Sequence, residues 1–176
     1  MLKYYICNLI KITLIMLQRI QTLFLLIVII AGIVLMFVPL AVYYSEMGYY
    51  IKFFLYGVKN LAHDPFGAES PRLFSAFFGK PLLIVQIVNI IIVSFTIFKF
   101  KKRTLQLKLN QLNIFLHVIL VGGIFYYSTI IETKVQATPV YGLGVTLPLI
   151  SIIALFLANY FIRKDERLVR SADRLR

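Results

Sequence analysis

The chain has 176 residues, of which 60% are hydrophobic and only 15% are charged. Soluble domains are typically about 45–50% apolar and about 25% charged, so this composition excludes an ordinary soluble domain. The single cysteine, Cys7, excludes an internal disulfide, and no CxxC or Cys/His cluster indicates a metal or redox centre.

Residues 1–19 contain two short apolar runs separated by Lys11. Neither run is long enough to cross a bilayer, so the segment is predicted to be cytoplasmic or to lie at the membrane interface. An alternative is that translation starts at Met16, because Met16–Gln21 leads directly into the first long apolar stretch. No small-x-small cleavage site follows that stretch, which indicates an uncleaved signal-anchor.

Four long stretches carry no Asp, Glu, Lys or Arg. Each can form a helix that crosses about 30 Å of hydrocarbon, and lipid favours helices because backbone polar groups must be paired there. The predicted helices cover residues 20–43, 80–99, 109–131 and 143–162. Short connections favour antiparallel neighbours, so the predicted fold is an all-α membrane protein with an up-down four-helix transmembrane bundle.

The largest segment between predicted helices, residues 44–79, joins the first to the second. Its first half is rich in Tyr, Phe and Ile, and Tyr49–Tyr56 favours a small outer-face loop or β-hairpin. Its second half carries Asp-Pro and Ser-Pro turn signals and is predicted to be irregular. Eight of the eleven tyrosines of the chain fall at the predicted outer boundary of the membrane, which is typical of an aromatic belt. An aromatic ligand platform is the alternative.

The positive charge is distributed unevenly along the chain. With the N-terminus inside, fourteen of the nineteen Lys and Arg residues fall on cytoplasmic segments, which predicts an N-in, C-in protein. Topology therefore accounts for the net charge of +12 without nucleic acid, and anionic lipids of the inner leaflet are the expected surface partner.

The chain divides into residues 1–19, a transmembrane domain of residues 20–162 and a tail of residues 163–176.

The tail is basic, and its apolar residues recur at helical spacing. This pattern favours a short amphipathic helix that continues the fourth helix, lies on lipid or docks on a partner. A frayed, solvated end is the plainer alternative, since short helices are marginal alone. The candidate partner- or lipid-binding residues of the tail are Arg163, Lys164, Arg167, Leu168, Arg170 and Leu175.

A few polar residues interrupt the apolar stretches. They form a candidate intramembrane cluster of Gln86, Asn89, His117 and Ser151. By depth, His117 is expected to meet Ser94 or Thr96 on the second helix or Asn159 on the fourth. Such groups usually join helices through hydrogen bonds, and the sharper alternative is a narrow polar path.

Catalytic constellations are absent from the sequence, which holds no HExxH motif, no phosphate-binding Gly-rich loop and no paired intramembrane carboxylates. A His117–Ser94 dyad lacks an oxyanion hole. Haem between His63 and His117 is disfavoured, because His63 falls in the outer loop and His117 lies within the third helix, nearer the inside. We therefore expect no enzymatic activity, no cofactor and no metal site.

Two stretches resemble an uncharacterised family of small four-helix inner-membrane proteins of Bacteroidetes. They are Met16–Thr22 and Ile162–Arg176, and the resemblance extends over about residues 16–176. It implies a bacterial inner-membrane location but no activity and no site residues.

Two functions are consistent with these features. The first is a non-enzymatic accessory or scaffold subunit of a membrane complex, with a protein partner or a homo-oligomer. The alternative is a small transporter or channel that acts as an oligomer. A polar groove through Gln86, Asn89 and His117 would favour the transporter, and a sealed apolar core would favour the accessory subunit.

Overall fold

The computed structural model describes residues 20–44, 50–60, 74–75, 77–99 and 102–173, with side chains up to Arg167. Cys7, Met16, His63 and Leu175 lie outside the described residues, so the predictions for the N-terminal segment and for Leu175 stay predictions.

Most of the described chain is helical. The four helices are α1 (Ile20–Leu35), α2 (Lys80–Phe98), α3 (Arg103–Val135) and α4 (Leu143–Asp173). Three of them, α2, α3 and α4, are long and apolar enough to cross a membrane. The prediction of helical spans is confirmed to this extent.

Contacts between the helices define an antiparallel register. The start of α3 meets the end of α2, where Gln106 bonds to Thr96, and further along α3 a Cβ on Gly123 would touch Leu82. Between α3 and α4, Asn110 bonds to Asn159. Helix α1 contacts α4 through stacked rings of Phe24 and Phe161, whose centroids are 5.5 Å apart, and contacts α2 where Gly32 faces Gln86.

Four short strands form an antiparallel sheet of order β3-β2-β1-β4. They are β1 (Ala41–Tyr44), β2 (Tyr50–Phe54), β3 (Gly57–Asn60) and β4 (Pro139–Tyr141). The prediction of an all-α protein is therefore wrong, because the element predicted as a loop or hairpin belongs to a four-stranded sheet. The strand-forming character of Tyr49–Tyr56 was visible in the sequence, but the pairing of β1 with β4 joins segments far apart in the chain.

The first helix ends at Leu35, eight residues before its predicted end. The chain then turns through Met36–Leu40, where Pro39 has no N–H to continue a helix, and residues 41–44 become β1. Hydropathy cannot distinguish the end of an apolar helix from a short buried strand, which explains the error.

The sheet covers one end of the helices, which we call the sheet end. Its inward side chains join an apolar cluster with Leu35, Leu82, Leu120 and Ile124. Tyr43, which was predicted to belong to an exposed aromatic belt, is instead fully buried there, and its hydroxyl lies 2.6 Å from Ser128 Oγ. Burial raises the pKa of Tyr43 to about 12.

Candidate functional site

Polarity in this protein is inverted over much of its length. Large apolar side chains such as Ile91 and Phe115 are 60% and 61% exposed, whereas Asn, Gln and His side chains lie in the interior. A soluble protein does not tolerate this arrangement, because its exposed apolar surface would drive association. In a membrane, lipid favours apolar side chains on the outer surface of the helices. Only the polar interior therefore requires a separate explanation.

The interior polarity is concentrated on one face of α3. Its buried residues recur at alternating spacings of three and four, which is the spacing of one helix face. In the first half of the helix this face carries Gln106, Asn110, Asn113 and His117, which we call the polar face. In the second half the same face carries Leu120, Ile124 and Ile131, together with Ser128. The interior is thus polar towards the N-terminal end of α3 and mostly apolar towards the sheet.

Amide nitrogens of the polar face join α3 to its neighbours. The Gln106 Nε2 group donates to the carbonyl oxygen of Thr96 on α2, with a distance of 3.3 Å. The Asn110 Nδ2 group donates to the carbonyl of Leu155 at 3.0 Å and to Asn159 Oδ1 at 2.9 Å, both on α4. Because a carbonyl can only accept, these bonds orient both amides and leave their oxygens as the unused atoms.

Several buried amide atoms have no hydrogen-bond partner within the described part of the chain. For Asn89 and Asn113 this holds for both amide atoms, and for four further side chains it holds for the oxygen. Those four are Gln21, Gln86, Gln106 and Asn110. An unpaired buried polar atom costs about 1–3 kcal/mol, so a group of them at one depth indicates bound water or a polar ligand.

The helix register places these residues at a common depth. Asn89 of α2 lies between the Thr96–Gln106 and Leu82–Gly123 contacts, which puts it level with Asn113. Asn110 bonds to Asn159, and α4 runs antiparallel to α3, so Ser151 of α4 lies level with His117. The polar residues of the four helices therefore occupy the same segment, about 16 Å long from residue 106 to residue 117 at 1.5 Å per residue.

The four residues of the predicted cluster are all buried, each about 1% exposed. No hydrogen bond joins Gln86, Asn89, His117 and Ser151 to one another among the residues that the structure describes. The Ser151 hydroxyl donates to the Leu147 carbonyl of its own helix. The structure thus brings the four to one depth without linking them directly.

The partners predicted for His117 are wrong. Its Nδ1–H donates to the Asn113 carbonyl one turn earlier, at 2.9 Å, which leaves Nε2 as the acceptor of a neutral ring. Ser94 and Thr96 instead donate to carbonyls of α2, and Asn159 bonds to Asn110.

The polar segment is bounded at both ends. Towards the sheet, Leu120 and Ile124 belong to the apolar cluster. At the opposite end, which we call the basic end, Arg103 Nη2 and Asp165 Oδ2 are 3.0 Å apart. The Asp165 side chain is buried and that of Arg103 is partly exposed, so this ion pair lies between the interior and the solvent. The polar segment is thus closed by an ion pair at one end and by apolar side chains at the other.

The basic tail continues α4 without a break as far as Asp173, so Leu168 and Arg170 are in the helix. Arg163, Lys164 and Arg167 line a surface groove of about 600 Å³ between α3 and α4. Asn159 also lines this groove and, through its bond to Asn110, connects it to the polar face.

Sequence reasoning missed most of the polar face. In the sequence, Gln106 lies between the second and third predicted helices, and Asn110 and Asn113 lie in a stretch without charge, so none of them was proposed as a site residue. The spacing of residues 103, 106, 110, 113 and 117 was the available signal, since five polar residues on one helix face indicate a buried polar stripe.

Among the residues that the structure describes, no group of three or more His, Cys, Asp or Glu side chains is placed to hold a metal ion. The chemistry that the described residues do provide is hydrogen bonding by amides, the His117 ring and one buried carboxylate.

A family model described as Domain of unknown function (DUF4293) matches residues 17–175, and the chain belongs to this family. The match confirms the resemblance to an uncharacterised family. No curated protein and no solved structure matches the chain.

Proposed function

We propose that this chain, a member of a family of unknown function, is a small membrane transporter, and the arrangement of its buried polar side chains supports this proposal. Its solute is a small cation or another donor of hydrogen bonds, which binds along the polar face between the ion pair and the apolar cluster. The observation that carries the proposal is the group of unpartnered, buried amides of α2 and α3 within one segment about 16 Å long, together with Gln21 of α1. The proposal is non-enzymatic and needs no cofactor.

The chemistry of the unpartnered atoms supports this class of solute. Most of them are amide oxygens, and those of Gln106 and Asn110 are oriented by hydrogen bonds from the same amides. Oxygen ligands of this kind replace the hydration shell of small cations and accept hydrogen bonds from ammonium groups. A polar segment that is closed at both ends favours an occluded binding site, which a transporter opens alternately to each side of the membrane.

We further propose that this protein lies in a bacterial cytoplasmic membrane with both termini in the cytoplasm. Three apolar helices and an exposed apolar surface support insertion in a membrane. Lys and Arg residues concentrate at the basic end, and the positive-inside rule assigns that end to the cytoplasm. The sheet then faces the outside.

The proposal predicts that the polar face is hydrated and accessible. In a Cys7→Ser background, Asn113→Cys is expected to react with a small cationic methanethiosulfonate reagent at least about tenfold faster than Leu120→Cys. Both positions are fully buried on the same face of α3, so they differ in the polarity of their surroundings and not in exposure. The rates are measured by mass spectrometry on protein in vesicles.

The charge of the reagent provides the second arm of this test. Surface cations at the basic end would concentrate an anionic reagent, whereas amide oxygens inside favour a cationic one. Faster reaction of Asn113→Cys with an aminoethyl reagent than with a sulfonatoethyl reagent is therefore expected. Equal protection of positions 113 and 120 from both reagents would refute the transporter proposal.

One observation favours the accessory function instead. Helix α4 has 31 residues and a length of about 46 Å at 1.5 Å per residue, which exceeds the roughly 30 Å of hydrocarbon. Its last turns therefore extend beyond a membrane span and could bind a partner at the cytoplasmic surface. This second candidate needs no solute.

Removal of residues 168–176 separates the two functions. It leaves Arg163, Lys164, Arg167 and the polar face in place, so a transporter is expected to keep its thiol reactivity at Asn113→Cys. For an accessory subunit, the same deletion is expected to abolish co-purification of a stoichiometric partner from native membranes in mild detergent. A tag inserted within residues 61–73 keeps the tail free. Retention of every partner by the deleted chain would exclude the accessory function of the tail.

A further inference from the structure

The groove between α3 and α4 combines a charged end with an apolar floor. At the basic end its walls are Arg163, Lys164 and Arg167, all exposed. Towards the middle of the helices its walls are Ile114, Phe156 and Tyr160. Gln111 and Asn159 line the part between. A ligand that fills this groove is expected to be anionic at one end and apolar at the other.

The Asp165 carboxylate of α4 does not neutralise the positive charge at the groove. Asp165 points into the interior, where it pairs with Arg103. No acidic residue is among the residues that line this groove, and Glu166 lines a smaller adjoining pocket with Arg163 and Arg167. Helix α4 thus directs Asp165 inwards and three cations into the groove, where they exceed the one neighbouring acid, Glu166.

The depth of the groove matches that of a lipid in a bilayer. The three cations follow directly after the apolar stretch that ends at Ile162, where headgroups begin. About one turn before Arg163, Tyr160 is exposed to the surroundings of the helices, and Phe156 is exposed about two turns before it, where acyl chains lie. Free phosphate would use the cations but would leave the aromatic floor uncovered.

We propose that this groove binds one anionic phospholipid. Its phosphate is held by Arg163, Lys164 and Arg167, and one acyl chain lies along Phe156 and Ile114. Asn159 accepts from Asn110 through Oδ1, which leaves its Nδ2 group as a donor towards the headgroup. The lipid is thereby coupled to the polar face through a single amide. This inference requires a membrane around the helices but does not depend on transport of any solute.

The absence of Trp from the chain makes a direct test possible. Phe156→Trp places the only indole in the groove, and Ile91→Trp places it on the exposed face of α2, away from the groove. Each full-length variant is reconstituted in vesicles with brominated phosphatidylglycerol or brominated phosphatidylcholine, which quench a neighbouring indole. Roughly tenfold stronger apparent binding of the anionic lipid is expected at position 156, and equal quenching is expected at position 91.

Matched charge variants then locate the site. Replacing Arg163, Lys164 and Arg167 by Gln in the Phe156→Trp protein is expected to abolish the preference for the anionic lipid. Replacing Lys52, Lys59 and Lys134 by Gln removes the same charge from the sheet end and is expected to preserve it. Circular dichroism and size-exclusion elution confirm that both triple variants fold.

Two results would overturn the inference. Equal quenching of the Phe156→Trp protein by the two lipids would show that the groove does not select an anionic headgroup. Loss of the preference on addition of millimolar inorganic phosphate would show that the cations bind free phosphate rather than a lipid.

Discussion

Replacement of Arg103 by Met is expected to lower the free energy of unfolding by about 3 kcal/mol, because it leaves the buried carboxylate of Asp165 without its cation. The figure is at the lower end for a buried pair, since the Arg103 side chain is partly exposed. The measurement is reversible unfolding in mixed micelles. Lys108→Met removes an exposed cation from the same helix and is expected to have little effect.

A double-mutant cycle separates the pair from its surroundings. Asp165→Asn in the Arg103→Met protein is expected to recover most of the lost stability, because no buried charge then remains unpaired. Additive losses from the two substitutions would show that the residues do not interact. If the ion pair also closes the polar segment at the basic end, Arg103→Met is expected to accelerate the reaction of Asn113→Cys with the cationic reagent.

Replacement of Gly144 by Ala is expected to destabilise the protein by about 2–3 kcal/mol through overpacking. A Cβ at this position would lie 2.6 Å from the carbonyl oxygen of Pro39 and 3.1 Å from Leu40 Cα. That backbone cannot move away easily. The Leu40 N–H donates to the Phe53 carbonyl at 2.7 Å, and the Leu40 carbonyl accepts from Gly142 N–H at 2.9 Å. The close approach of α4 to the segment between α1 and β1 therefore requires glycine.

Gly122→Ala is the matched control, because it adds the same methyl group to a helix. No atom lies within 4 Å of its ideal Cβ, and Ala has the higher helix propensity. We expect unchanged or slightly increased stability for this variant in the same unfolding assay. Equal stability of the Gly144→Ala and Gly122→Ala proteins would show that the contact between Gly144 and Pro39 is not tight.

The two predictions concern opposite ends of the helices, the basic end and the sheet end. The ion pair closes the basic end, whereas Gly144 lets α4 pack against the segment that leads into the sheet. Between them, stability is expected to be lower than packing alone would allow, since amides at Asn89 and Asn113 replace apolar contacts. Buried polar groups of this kind mark candidate binding sites, because they lower stability and a functional role offsets that cost.

The sequence by itself determined three long apolar helices and the family. Long stretches without charge indicate helices in lipid whatever their neighbours are, since every backbone group must be paired within the segment. The resemblance carried by Met16–Thr22 and Ile162–Arg176 likewise needs no structure. Gln86, Asn89, His117 and Ser151 were also visible, because isolated polar residues stand out in apolar stretches.

Only the tertiary structure decided what surrounds those residues. The sheet depends on β1 meeting β4 across about 100 residues, and hydropathy along the chain contains no information about such a pairing. Asp165 and Arg103 appear in the sequence as ordinary surface charges, and they become a buried pair only when α4 packs antiparallel to α3. The polar segment has the same origin: each helix contributes one or a few amides, and their alignment at one depth arises from the register between helices, which is set by packing and not by composition.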